Sequence, residues 1–239
     1  MKSRRKLKNR KPPFVLVNMA MTADGKIATA NRKVSSFGSA RDHEHLLELR
    51  ATVDAVMTGA RTVNSAPINL GPGAVKYRRW RLKNGLAEFN LRVIVSGSGQ
   101  VNPRAELFRR RFSPVIVLTT QRASPARLGR LRAVAAEVKV CGRQNINFRA
   151  ALGWLRRKWG IKRLLCEGGG ELNAALFQAG LVNELHLTIC PKIFGGDAAP
   201  TIAEGGGIRR LTGATPLQIT SLKRIGNEIF AVFRVCGKA

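Results

Sequence analysis

The sequence predicts an α/β protein with a mixed, mainly parallel sheet flanked by helices and a C-terminal antiparallel hairpin. Three observations carry this expectation. Short runs rich in Val, Ile and Leu alternate with segments of helical period along the 239 residues, the pattern of parallel strands joined by crossover helices. One buried-type run, Arg163 to Cys166, leads into three glycines and then into the clearest helical repeat of the chain. Near the end, two strand-like runs straddle Gly226-Asn227, a hairpin signature.

The elements follow in order. Phe14 to Met19 is an apolar strand, followed by a loop at Asp24-Gly25. Residues 41–51 have a helical pattern, and Val53 to Thr58 reads as a buried strand. Leu91 to Ser96 and Val115 to Thr119 are two more, rich in Val and Ile. Leu128, Leu131 and Val134/Ala135 mark a helix. Ala151, Trp154/Leu155 and Lys158 mark another, whose Lys stem can lie along apolar surface. Leu172, Ala175, Leu176 and Ala179 recur at i, i+3, i+4 and i+7. Leu185 to Cys190 is a strand stopped by Pro191, which has no N–H for a ladder. Leu217–Leu222 and Ile229–Val235 form the hairpin. There is no internal repeat and no long linker. Residues 14–236 therefore read as one domain behind a basic, flexible head, residues 1–13, that ends at Pro12-Pro13.

Composition narrows the class. Apolar residues are 44% and charged residues 23% of the chain, ordinary values for a globular protein. The charge balance is unusual: 42 Lys and Arg against 14 Asp and Glu, a formal +28. Seven of those cations lie in the head, so the body is basic too. A positive field draws phosphates, on small molecules or on nucleic acid. The preferred reading is a basic, soluble surface without a specific polyanionic partner. With 6% aromatic residues, a single Tyr and no nucleic-acid fold signature, any nucleic-acid contact is expected to be unspecific. Cys141, Cys166, Cys190 and Cys236 form no C-x-x-C pattern. Cys166 and Cys190 sit in apolar runs as buried thiols, which fits a reducing cytoplasm. No apolar h-region follows the basic head, so it is not a secretory signal. No run reaches the length of a membrane span.

The chemistry concentrates at Glu167-Gly168-Gly169-Gly170-Glu171. Glycines admit positive φ and let backbone N–H groups approach a ligand. The helix that follows offers unpaired N–H groups and the positive end of its dipole. Together these make an anion site. Ser96-Gly97-Ser98-Gly99 follows another strand and is a plausible second wall for a nucleotide. Neither stretch is a Rossmann fingerprint or a Walker A loop. His43-Glu44-His45 lacks the i, i+4 spacing of a helical zinc pair, so these read as solvated helix residues and no metal is expected. Motifs of the zinc nucleoside deaminases are absent, and three His leave little for a histidine triad.

Four ordered stretches carry a family resemblance. Met21-Thr22-Ala23-Asp24-Gly25-Lys26-Ile27-Ala28 is similar to an S-x-D-G-K-x-A start. The stretch from Leu49 to Val63, LRATVDAVMTGARTV, is close to L-R-A-x-x-D-A-I-x-x-G-x-x-T-V. Glu167-Gly168-Gly169 is the third. Gly180-Leu181-Val182-Asn183-Glu184-Leu185, with Pro191-Lys192-Ile193-Phe194-Gly195-Gly196, is the fourth. Over roughly residues 14–235 the chain resembles the reductase domain of riboflavin biosynthesis, with its dihydrofolate-reductase-like fold. The resemblance implies reduction of a ribosylaminopyrimidine 5′-phosphate by NADPH: the ribose opens to an imine-like form and hydride passes to C1′, giving a ribityl product. It implies that Thr62, Gly97, Gly168, Gly169, Gly170 and Glu171 contact NADPH and that Arg50 and Glu167 contact substrate. It also implies a homodimer. Asp24 is the candidate proton donor or orienting group. The cofactor carries the hard chemistry, so no protein nucleophile is expected. Besides a nucleic-acid-binding protein that uses its basic surface, the alternative is a relative acting on another pteridine- or pyrimidine-like substrate. It is prompted by a departure from the family pattern: after Thr62-Val63 the chain reads Asn64 to Gly73, one residue short before the proline and without the usual acidic pair and Thr-x-Arg. The neighbouring Lys76-Tyr77-Arg78-Arg79-Trp80-Arg81 is read either as replacement phosphate contacts or as a solvated basic face.

Overall fold

The computed structural model describes residues 11–32 and 36–237; most of the basic head lies outside them. The strands are β1 Phe14–Thr22, β2 Ala55–Gly59, β3 Leu91–Val95, β4 Val115–Thr119, β5 Glu137–Val140, β6 Arg163–Cys166, β7 Glu184–Cys190, β8 Leu217–Ile225 and β9 Glu228–Val235. The helices are α1 Ala40–Ala51, α2 Ala60–Ser65, α3 Val75–Lys83, α4 Glu106–Arg109, α5 Pro125–Arg132, α6 Phe148–Trp159 and α7 Gly170–Gln178. The nine strands make a mixed, mostly parallel sheet, as the alternation of patterns predicts. The chain divides into two compact units, one of Arg50–Leu164 with the residues up to Phe14, the other of Val15–Leu49 with Leu165 onward.

The first unit holds the parallel ladder β5-β4-β3-β2, in register at Met57 with Val93, Val93 with Ile116 and Val117 with Val138. Val56, Met57, Val93, Ile94, Ile116, Val117 and Leu118 have no exposed surface. Continuous apolar runs of this kind belong to parallel strands covered on both faces. Each such side chain contributes about 1.5–3 kcal/mol by leaving water. Local signals set the helix ends. Ser124 caps α5, its Oγ accepting from Arg127 N, with Pro125 in the first turn. Asn147 caps α6 through Oδ1 and Ala150 N, and Gly160 ends it at φ +69°. β5 escapes a sequence reading because it is a four-residue edge strand, EVKV, with two charges.

Helix α3 is a correction. The stretch 76–81 is a helix and not wholly a solvated face, and Arg81 is committed to the protein's own carbonyls. Tyr77 and Arg81, four residues apart, turn inward, and Arg81 is 1% exposed. Its Nη1 donates to Arg50 O, Ala51 O and Val53 O (2.9, 3.2 and 2.6 Å), and its Nε to Ala87 O at 2.8 Å. These include the last carbonyls of α1, which have no intrahelical donor and carry the negative end of the dipole. Burial lowers the Arg81 pKa to about 10, so the guanidinium stays charged at neutral pH. Asn90 Nδ2 adds bonds to Arg50 O and Val53 O. Arg92 is likewise buried, bonded to Leu107 O and Ser113 O, with its guanidinium 4.3 Å from the Phe112 ring centre.

In the second unit β1 runs parallel to β7, and β9 and β8 follow antiparallel. Val15, Leu16, Val17, Leu165, Leu176 and Cys190 form its core. Asn183 Oδ1 accepts from Val15 N at 2.8 Å and fixes the start of β1. The expected hairpin is present, with Gly226 at φ +60° in its turn. A bulge between Ile219 and Ser221 shifts the pairing by one. Leu217, Ile219 and Leu222, which simple alternation would divide, therefore share one face.

Replacing Arg81 with Ala strands several buried carbonyls at once. We expect a loss of about 3 kcal/mol or more, measured as a lower urea midpoint; Arg81→Lys should recover part of it.

Candidate active site

The glycine turn after β6 sits in the second unit, and its three glycines answer three different constraints. Gly168 has φ +75°, and a Cβ there would lie 2.8 Å from Met19 Sδ. The Gly168–Gly169 peptide is cis. Gly169 is the N-cap of α7 without a side-chain cap, and its carbonyl accepts from Leu172 N and Asn173 N. A Cβ on Gly169 would meet nothing within 4 Å. A Cβ on Gly170 would lie 2.3 Å from Thr201 O and 2.8 Å from Glu204 Cγ. The three glycines therefore do not all answer the same need. Gly170 makes way for the protein's own chain, and Gly169 presents the open ground.

The segment that presses on Gly170 is held from several sides. Asn173, fully buried, donates from Nδ2 to Ile202 O at 2.9 Å and accepts the Cys166 thiol at Oδ1. Glu204 N donates to Gly170 O at 3.1 Å, and the Glu204 carboxylate pairs with Arg32 at 2.8 Å. Ile27 N donates to Pro200 O, and Lys26 Nζ to Ala199 O. The loop after β1 and residues 194–204 are therefore one bonded assembly against the glycine turn.

Asp24 organises the near end of that assembly. Its carboxylate accepts from Thr22 Oγ1 at 2.5 Å, Gly195 N at 2.7 Å and Phe194 N at 3.2 Å. The Thr22 hydroxyl first, with the backbone amides of Gly195 and Phe194, holds its pKa down at about 2 against burial, which acts the other way. Such a group is an ionised acceptor at neutral pH and carries no proton to donate. Of the two roles read for Asp24, its surroundings suit the orienting one. At the start of α7 the exposed carboxylate of Glu171 complements the helix dipole but would repel an anion. What Glu171 can offer a phosphate is its backbone N–H.

The other predicted residues lie in the first unit. Thr62, in α2, and Gly97 follow the carboxyl ends of β2 and β3, adjacent parallel strands in register at Gly59 and Val95. Gly97 O accepts from Thr120 N and Thr120 Oγ1, and a Cβ on Gly97 would find its nearest neighbours, Arg122 Nη1 and Thr120 Cγ2, only at 4.0 Å. Arg50 is 9% exposed, and its Nη1 donates to Gly71 O at 3.0 Å. It thereby ties down the 64–73 segment that departs from the family pattern. There Asn69 Oδ1 caps Gly71 N and Leu70 adopts φ +60°. Sequence reading missed Asn173, Glu204 and Arg32. Their only trace was a polar residue inside an apolar helical repeat and a charged pair 172 positions apart.

The histidine stretch also needs correction. His43 is exposed, but His45 is not a solvated helix residue. Its ring lies 5.5 Å from that of His186 and edge-on to Phe230 at 5.7 Å, and burial, then repulsion by His186, lower its pKa. Among the described residues no group of His, Cys, Asp and Glu is placed to hold a metal ion. The four cysteines are free, and burial raises the Cys166 and Cys190 thiols to about 12. No described helix is long and apolar enough to cross a membrane.

A mixed sheet whose parallel strands run into a glycine turn at a helix N-terminus defines an α/β class with ligand ground at strand carboxyl ends. Residues 13–231 match the family model described as the RibD C-terminal domain, and the chain belongs to that family. It is 32% identical over 225 residues to the 2,5-diamino-6-ribosylamino-4(3H)-pyrimidinone 5′-phosphate reductase of Methanothermobacter thermautotrophicus, covering 94% of this chain and 99% of that one. A solved pyrimidine reductase-like protein from Corynebacterium diphtheriae aligns with a TM-score of 0.80 at 25% identity, over 97% of this chain and 95% of that one. Acinetobacter baumannii RibD aligns with a TM-score of 0.73 at 18% identity, a likeness of fold; it covers 94% of this chain, which spans 58% of that one. The dihydrofolate-reductase-like sheet expected from the motifs is the one observed.

Two outcomes follow from the geometry. Gly170→Ala should destabilise the protein strongly and Gly169→Ala hardly at all, compared by urea midpoints. For Asp24 the folded pKa, about 2, lies below the ordinary 3.8. Its contribution is therefore complete above pH ~4 and lost as pH falls through about 2. The stability difference between the protein and Asp24→Asn should be constant from neutral pH down to ~4 and close towards pH 2.

Proposed function

We propose that this chain is an NADPH-dependent reductase that converts the ribosyl group of a ribosylaminopyrimidine 5′-phosphate to the ribityl form, a step of riboflavin biosynthesis. The observation that carries the reading is the end-to-end match to a reductase named for that class of substrate, 94% of this chain against 99% of that relative. The residues present suit a dinucleotide. Gly169 leaves a face that no Cβ occupies, at the positive end of a nine-residue helix. Gly97, in the first unit, has room around it after the carboxyl end of β3.

In this reading the backbone of Gly168, Gly169, Gly170 and Glu171, with Thr62 and Gly97, binds the cofactor. Glu167 and Arg50 bind the substrate. The cofactor, when bound, supplies the hydride. The protein's part is to position and polarise. Glu167, next to the turn, accepts from a pyrimidine amino group or from the ribose. Asp24 stays ionised and holds Phe194 and Gly195 in place. A second reading, a related pyrimidine- or pteridine-like substrate, draws on one observation. The 64–73 segment departs from the family pattern and is closed on itself by Asn69 and Arg50.

We also propose a homodimer. Leu217, Ile219 and Leu222 are 42%, 59% and 63% exposed on one face of the hairpin, with Ile229 beside them at 39%. An apolar strip of this kind is a candidate protein interface, and β8 is an edge strand.

NADPH titration followed by nicotinamide fluorescence tests the reading. The protein should bind NADPH saturably. Gly169→Asp, for which the fold has room, should lose at least about tenfold in affinity at an unchanged urea midpoint; unaltered NADPH binding by that variant would refute the placement. Arg50→Ala should raise substrate KM. It should also cost about 1 kcal/mol of stability, since Gly71 O loses its donor. Leu222→Lys should convert a dimer to a monomer in light scattering.

A further inference from the structure

The positive charge is unevenly divided. Arg50–Leu164 contains 24 Lys and Arg against 4 Asp and Glu, whereas Val15–Leu49 with Leu165–Ala239 contains 11 against 10. Within the basic unit no acid occurs between Asp54 and Glu88. Both of these are engaged: Asp54 accepts from the amides of Lys162 and Arg163, and Glu88 pairs with Arg78 at 2.8 Å. Helix α3, Val75–Lys83, lies inside that acid-free stretch.

Helix α3 is inverted with respect to water. A surface helix ordinarily buries its apolar stripe and exposes its charges. Here Arg81 turns inward with Tyr77, while Val75, Trp80 and Leu82 are 47%, 44% and 56% exposed. The outward half consists of two adjacent lines. Val75, Arg79 and Leu82 recur at i, i+4 and i+7, and Lys76, Trp80 and Lys83 do the same beside them. All six are exposed. The first line reads apolar, cation, apolar and the second cation, apolar, cation, so the face is chequered and holds no acid. The helix cannot roll to hide the apolar side chains. The bonds from Arg81 to four backbone carbonyls fix which half faces in.

We infer that the outward face of α3 docks on an anionic phospholipid surface, with Val75, Trp80 and Leu82 entering the headgroup layer and Lys76, Arg79 and Lys83 meeting the lipid phosphates. The chequered pattern selects this partner. A nucleic-acid backbone would engage the three cations and leave Val75 and Leu82 against water. An uncharged apolar protein face would bury the three cations without partners. The boundary between headgroups and acyl chains offers negative charge and apolar ground within the length of one side chain. Trp80 suits that boundary, with an apolar ring and one polar N–H. The Lys and Arg stems can lie in the apolar layer while their heads reach the phosphates. Docking of this kind does not cross the bilayer, and the inference is independent of the reductase reading.

The test uses the full chain at fixed moderate salt, with vesicles of equal parts phosphatidylcholine and phosphatidylglycerol and vesicles of phosphatidylcholine alone, read by co-sedimentation. Variants are Trp80→Ser/Leu82→Ser and Lys76→Gln/Arg79→Gln/Lys83→Gln. Both leave Tyr77 and Arg81 in place, and an unchanged urea midpoint checks the fold. We expect binding to the anionic vesicles only. The apolar variant should lose at least about tenfold in partitioning, and the charge variant roughly tenfold to hundredfold. Both variants keep the basic head, residues 1–13. Anionic-vesicle binding that the apolar variant retains in full would therefore reduce the effect to general attraction of a basic chain and overturn the inference, as would no vesicle binding by the wild type. Retention of a single-stranded RNA oligonucleotide, lost in the charge variant, by a protein that ignores vesicles would reassign the face to nucleic acid. Self-association in light scattering that the apolar variant abolishes, again without vesicle binding, would reassign it to a second copy of this chain.

Discussion

The close approach of Gly170 to the carbonyl of Thr201 is the constraint on which the site in the second unit depends. No side chain fits at position 170, because a Cβ would stand 2.3 Å from that oxygen. Given glycine, the 201–204 segment can lie against the first turn of α7, Glu204 N can reach Gly170 O, and Asn173 can reach back to Ile202 O. Glu204 then holds Arg32, and residues 26–27 join the same segment through Ala199 and Pro200. A single missing methyl group thus sets where two long loops run. It leaves Gly169, one residue earlier, as the open face of the helix N-terminus.

Charge is handled by separate means in the two units. In the first, cations exceed acids so heavily that ion pairing cannot satisfy them, and the most buried ones are held by carbonyl oxygens. Arg81 collects four carbonyls, and Arg92 collects two and an aromatic face. A carbonyl-bound guanidinium keeps its full charge, so these residues add to the field while acting as struts. In the second, acids nearly match cations, and the notable anion, Asp24, is committed to a hydroxyl and two amides. The helix N-terminus beside the glycine turn adds positive potential there.

Most of the fold was legible because its strands are continuous apolar runs and its longer helices have a clean period. What escaped did so for identifiable reasons. Helix α3 buries Tyr77 and Arg81, and a buried Arg looks like a surface residue in any hydrophobicity pattern. β5 is short and charged at an edge. His45 was misread because its environment comes from His186 and Phe230, more than 140 positions away. The glycine turn was visible as a motif, but its division of labour was not. The neighbours that distinguish Gly168, Gly169 and Gly170, namely Met19, open space and Thr201, are set by tertiary structure alone.

Asp24 shows why a residue in a recognisable motif need not do the chemistry nearest to it. A proton donor at neutral pH needs a pKa near 7, and that requires burial without donors or a like charge close by. Asp24 has the opposite surroundings: Thr22 Oγ1 and two backbone N–H groups all favour the anion. Each bond that fixes the loop geometry also favours the ionised carboxylate, the state suited to orienting its neighbours. The protein's share of the work in the second unit then reduces to holding an ionised acceptor, an uncovered glycine face and a helix N-terminus in fixed relation.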